Sequence, residues 1–166
     1  MNTFISGYQL RPAKKSDLPG IHKLMWDMAV FEKLTDIFQA TPSSLERSFF
    51  AEPASANCLV ITSDAEPDTP IAYIMWFFNY SSFLDKRGLY LEDIYIDPAH
   101  RGQGLGSAVL KHLAHLALTH NCGRFEWVVL DWNQNAIDFY EHHGAEILPD
   151  WRIVRVTGDA LQKLAS

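Results

Sequence analysis

Apolar residues recur along this chain at two spacings, and the switches between them mark out the elements. Ile21, Leu24, Met25, Met28 and Phe31 follow three- and four-residue steps. That period predicts a helix from a cap at Ser16 or Asp17 to about Glu32. Leu105, Val109, Leu113 and Leu116 repeat it and predict a second long helix over 105–119, closed around Gly123. Thr41 and Pro42 read as N-cap and first residue of a shorter helix to about Phe50. The remaining apolar runs are short. Residues 8–11, 57–62 and 88–96 read as strands, and 71–80 is apolar nearly throughout, as a strand buried on both faces would be. The polar run SDAEPDTP (63–70) is a turn, and 81–87 a loop. Residues 124–130 predict another strand, and Asn133 opens a helix to about His143 that Gly144 ends. Ile147 and then 152–156 predict one or two late strands, followed by a short helix in DALQKLA.

A strand, a long helix and a strand in succession from 89 to 130 predict one parallel pair within a mostly antiparallel sheet. The class is α/β, or α+β in the stricter naming. A length of 166 residues predicts one domain with a core of its own.

Charge narrows the range of partners. A net charge of −6 lacks the basic footprint of a nucleic-acid binder and suits a small cationic substrate. Cys58 and Cys122 make neither a disulfide framework nor a metal spacing. His112 and His115 stand three apart and His142 and His143 adjoin, without an H-E-x-x-H pattern, so no metal is expected. The N-terminus lacks a signal-peptide pattern and no run is long enough to span a membrane, which predicts a cytoplasmic protein. Trp76, Trp127 and Trp132 read as core or groove wall.

The candidate chemistry begins where the fourth predicted strand ends. In YIDPAHRGQGLG, Gly102, Gly104 and Gly106 precede the long helix. A helix N-terminus has unpaired N–H groups and partial positive charge, and it attracts phosphate. Glycine lets an anion approach the backbone, and Arg101 adds a forked cation. Two glycines at a fixed spacing occur by chance at roughly one position in 200, so this turn alone does not define a ligand. It is neither a Walker loop nor the dinucleotide fingerprint.

A second motif follows at the predicted distance. Asn133, Ala136, Phe139, Tyr140 and Gly144 stand in N-x-x-A-x-x-F-Y-x-x-x-G. With R-G-Q-G-L-G ahead of it, the chain resembles the GNAT superfamily of acyl-CoA-dependent N-acetyltransferases. LYLEDIYI (89–96), AVFEKL (29–34), FFNYSSFL (77–84) and DWN (131–133) are similar to its diamine and thialysine, or spermidine/spermine-type, branch. The resemblance covers nearly the whole chain. It implies a mixed sheet whose fourth and fifth strands splay apart in a V, a homodimer, and acetyl-CoA as co-substrate. The cofactor-binding positions it implies are Ile94, Tyr95, Ile96, Arg101, Gly102, Gln103, Gly104, Leu105, Gly106, Ser107, Asn133, Ala136 and Tyr140.

Acetyl transfer to an amine requires the amine to be neutral. An amine with a pKa of about 10.4 is neutral in roughly one molecule per 2,500 at pH 7, a penalty of about 4.6 kcal/mol. A carboxylate must take that proton, and the resemblance points to Glu92. Strict strand alternation puts Leu91 and Asp93 on one face and Glu92, with Tyr90 and Ile94, on the other. The resemblance also implies that a backbone N–H near Ile94 faces the developing oxyanion, if the strand bulges there. The resemblance implies that Tyr140 donates to the leaving thiolate. Full transfer is uphill by about 2 kcal/mol at reference pKa values, so the expected role is that of a hydrogen-bond donor. Phe31 and Glu32 match a Tyr-Glu pair at the substrate of the polyamine enzymes, here without the hydroxyl. Asp93 and Glu126 are expected to add acidity. The expected activity is acetyl transfer to a primary amine of a thialysine- or lysine-like amino acid, a diamine or a polyamine. Acetylation of a protein lysine or N-terminus, and a non-catalytic acyl-CoA sensor, stay open.

Overall fold

The structure is a computed structural model that describes residues 4–166, and the chain divides into two compact units, one ending at Val128 and the other Val129–Ser166. The first unit is built on a five-stranded sheet of β1 (Tyr8–Pro12), β2 (Asn57–Ser63), β3 (Pro70–Ser81), β4 (Lys86–Ile96) and β5 (Arg124–Glu126), paired in that order. The pairings are antiparallel up to β4, and β4 and β5 run parallel. That parallel pair is the one the crossover pattern predicts, with helix α3 (Leu105–Thr119) as the connection.

Helices α1 (Leu18–Glu32) and α2 (Pro42–Phe50) match the predicted spans. Thr41 and Ser44 exchange capping bonds at the start of α2. Leu18, Ile21 and Leu24 of α1 and Leu45 of α2 pack with Val60, Tyr73, Met75 and Tyr95 of the sheet. These residues are buried because the helix period and the strand alternation turn them to one interface. The residues between them in sequence, Ile61, Ile74 and Trp76, are buried on the opposite face of the sheet. At the start of α1, Arg11 grips the buried Asp17 through two bonds of 2.6 and 2.9 Å.

Three expectations need correction. First, β5 ends at Glu126, well short of residue 130. Its ladder with β4 covers only Gly88, Leu89 and Tyr90, so among the described residues Leu91 to Ile96 have no strand partner on that side. This is the splay between the fourth and fifth strands. Second, Lys86 and Arg87 belong to β4 and pair with Ser81 and Tyr80, which shrinks the predicted loop to a tight turn. Third, the second unit contains helices α4 (Gln134–His142) and α5 (Gly158–Ala165) and, among the described residues, no strand. Ile147, Trp151, Ile153 and Val154 are exposed there. Alternation supplies a strand's side-chain pattern, but a strand also needs a neighbouring edge to bond.

Candidate functional site

Strand β4 carries the first group of candidate residues, and a register shift decides how they lie. Met75 pairs with Asp93 while the next residue, Trp76, pairs with Leu91. Glu92 is thus the extra residue of a β-bulge. Paired residues of an antiparallel ladder share a face, and Met75 and Trp76 lie on opposite faces. Leu91 and Asp93 therefore do too, which overturns the expectation from strict alternation. Tyr90, opposite Phe77, and Ile94, opposite Ile74, are likewise parted. The bulge lies at Glu92 itself, two residues before Ile94. A bulge bends its strand, which accounts for β4 leaving β5 just there.

The consequence is electrostatic. Adjacent strand residues normally point apart, yet Asp93 feels the charge of Glu92 and, from the end of α1, that of Glu32. Burial, then Glu92 and Glu32, push the Asp93 carboxyl up to about 7, against a smaller opposing pull from a hydrogen bond. That bond comes from the fully buried Tyr73, whose hydroxyl lies 3.4 Å from Asp93 Oδ2 and 3.3 Å from Met28 Sδ. Burial and the neighbouring Asp93 in turn raise the Tyr73 phenol. Burial raises Glu32 as well. Phe31 beside it is 45% exposed. The structure thus brings Glu32, Glu92 and Asp93 together as an acidic corner at the end of α1. Glu126 is engaged elsewhere. It accepts from Asn79 Nδ2 at 2.7 Å and lies 3.0 Å from Arg124 Nε, so its charge is matched at the β5 edge. Tyr73 and Met28 were missed by motif reading. Their signal was only that β3 carries a tyrosine within an apolar run.

The turn after β4 is the second group. Asp97 caps a short 3-10 helix, Pro98–His100, by accepting from the Ala99 N–H at 2.9 Å. Arg101 Nε donates to Ile96 O at 2.8 Å, and its guanidinium lies over the Tyr95 ring at 5.2 Å. Gly102 and Gly104 have φ of +75° and +79°, a region that glycine enters without strain. A Cβ at Gly102 would meet nothing within 4 Å, so the backbone is open to a close approach. Gly104 is the N-cap of α3, and no side chain bonds into the first turn from it. An open backbone, an uncapped helix start and a neighbouring arginine fit an anionic diphosphate. The unpaired edge of β4 from Leu91 to Ile96 fits an extended arm carrying amide groups, because it offers strand donors and acceptors without a strand partner.

In the second unit, Asn133 caps α4 by accepting from the Ala136 N–H at 3.3 Å. Tyr140 lies on the same helix, with its ring centroid 5.4 Å from that of Phe139. Burial raises its phenol above the ordinary value, so it is a neutral donor near pH 7 and a poorer acid than free tyrosine.

Among the described residues, no helix is long and apolar enough to cross a membrane. Residues 18–145 match the model of the acetyltransferase (GNAT) family. A thialysine N-epsilon-acetyltransferase from Bos taurus is 37% identical over 164 residues, with 94% of this chain and 96% of that one covered. An L-ornithine N5-acetyltransferase from Arabidopsis thaliana is 36% identical, with 94% and 87% covered. Among solved structures, an integron cassette protein from V. cholerae matches with a TM-score of 0.78 at 22% identity over 96% of this chain and 98% of that one, a likeness of fold.

Proposed function

Because the chain belongs to the acetyltransferase (GNAT) family, and is an acyltransferase, we propose that it moves an acetyl group from acetyl-CoA to a primary amine of a small cationic molecule. The substrate class is a lysine-, thialysine- or ornithine-like amino acid or a diamine. The relatives named for thialysine and ornithine support that class. The observation that carries it is the Glu92 bulge, which gathers three carboxyl groups with no cation among the neighbours that shift Asp93.

Bound acetyl-CoA supplies an electrophilic thioester carbonyl and a thiol leaving group. The chain supplies the rest. Arg101 and the backbone of Gly102, Gln103, Gly104, Leu105, Gly106 and Ser107 hold the diphosphate. Ile94, Tyr95 and Ile96 lie along the open β4 edge, where the pantetheine amides bond. Glu32 and Asp93 receive the ammonium group. Exposed Glu92 takes its proton, directly or through water. Asp93, pushed up to about 7, is ionised above neutral pH, where it can pair with the ammonium. Tyr140 donates a hydrogen bond to the departing sulfur, and Asn133 and Ala136 support the cofactor arm. These last roles rest on the motif that the second unit carries. A cytoplasmic homodimer, acting as one N-acetyltransferase domain per chain, completes the reading and rests on the resemblance of the branch.

A screen of cationic amines with detection of released thiol tests the class. Turnover with ornithine- or lysine-like amines is expected, and none with any cationic amine overturns it. Glu92→Gln is expected to lower turnover about 100-fold or more while CoA affinity stays the same. An unchanged rate removes Glu92 from its assigned role.

A further inference from the structure

The turn that follows β4 is held from the far edge of the sheet. Tyr8 opens β1, at the opposite edge from β5. Its hydroxyl lies 2.8 Å from Gln103 Oε1 and 3.1 Å from His100 Nδ1, and the Tyr8 and His100 rings meet edge to face at 5.8 Å. Ile5, bridged to Tyr8, reaches toward the same turn. Its Cδ1 is the atom that a Cβ on Gly104 would meet, at 3.8 Å.

The proton count makes the arrangement specific. A phenol has one proton and lone pairs to accept with. Gln103 Oε1 can only accept, so it takes that proton. The Tyr8 oxygen must then accept, and His100 is left to donate through Nδ1–H. One hydroxyl thus fixes the His100 tautomer and turns the Gln103 amide so that both of its N–H donors remain unspent on Tyr8. Glycines at +75° and +79° leave the turn between them with few restraints of its own. An anion cradle works through donors already in place, because ordering them at binding is unfavourable.

We infer that Tyr8 is a positioning residue for cofactor binding, holding His100 and Gln103 so that the glycine turn is preformed for the diphosphate. This rests on the reading of the turn as the diphosphate site. The phenol itself touches no ligand and acts through its two partners.

The test compares two probes by calorimetry on the intact chain, CoA with its diphosphate and S-acetylpantetheine without it. For Tyr8→Phe, the Kd of CoA is expected to rise about five- to tenfold, the scale of one or two lost hydrogen bonds. The Kd of S-acetylpantetheine and the KM of the amine are expected to stay unchanged. In a background already carrying His100→Ala and Gln103→Ala, Tyr8→Phe is expected to have no further effect on CoA. Equal weakening of both probes would reveal a general structural role and overturn the inference. So would unchanged CoA affinity in Tyr8→Phe, while the cofactor reading stands on the wild-type affinity. Wild-type protein that does not bind CoA overturns both.

Discussion

Two aspartates, Asp17 buried and Asp93 half-buried, lie at the two ends of α1, and their surroundings push them in opposite directions. Asp17, at the start, loses water, which alone raises its carboxyl. Arg11 and the Lys14 N–H outweigh that and hold it below the ordinary value. It is also well placed for the helix dipole, which favours anions at the N-terminal end. Asp93, at the other end, loses water too, but its charged neighbours are Glu92 and Glu32, and it rises to about 7. Glu32, as the last residue of α1, is itself at the end of the dipole that disfavours an anion. The first end is arranged for stability. The second tolerates unfavourable charge that a bound cation would relieve, as functional sites often do.

The largest effect should come from the paired end. Arg11→Ala leaves Asp17 buried without its cation and is expected to destabilise the fold by about 3–5 kcal/mol, read by urea unfolding. The KM for the amine should not change. If it does, the two ends are not independent. Because the folded pKa of Asp17 is depressed, its contribution is complete above the unfolded value of about 3.9 and is lost as pH falls through the lower, folded value.

Asp93→Asn should do the opposite. The kcat/KM for cationic amines is expected to fall about 10- to 100-fold. The fold is expected to gain about 1–2 kcal/mol at pH 8, since a half-buried anion facing like charges is removed. The sign follows from a raised folded pKa. Between about 4 and 7 the folded state holds a proton that the unfolded chain releases, so wild-type stability declines as pH rises through that window. The gain in Asp93→Asn should therefore vanish toward pH 4. A wild-type rise in kcat/KM around pH 7 should be missing from the variant. Loss of stability at pH 8 would mean that Asp93 is held by an unseen cation.

Tyr73→Phe is the finest probe. The phenol bonds the charged carboxyl, so its loss should move the step near pH 7 upward by less than about one unit, with little effect on kcat. A downward shift would reverse the assigned direction of that hydrogen bond.

Much of this was legible in the chain itself. The limits of α2 and α3 follow from Thr41-Pro42 and from the glycines before Leu105, because caps and turns are local chemistry. The capping role of Asn133 was legible for the same reason. The Glu92 bulge was not. Alternation assumes one residue facing one residue, and only the partner strand reveals that Glu92 falls unpaired between the partners of Met75 and Trp76. Glu126 looked like pocket acidity until Asn79, 47 residues earlier, claimed its carboxylate. The late strands around Ile153 had the right side-chain pattern, yet among the described residues no strand forms there.

The sequence by itself determined the class of the protein, the span of its long helices, and the two motifs that name its family. These depend on periodicity, caps and glycine, which act over a few residues. Tertiary structure decided which carboxyl groups meet, that Asp93 titrates near neutrality, and that Tyr8 reaches the glycine turn from the far edge of the sheet. Charge, burial and hydrogen bonding act through space, and the residues they couple stand anywhere from one to 95 positions apart along the chain.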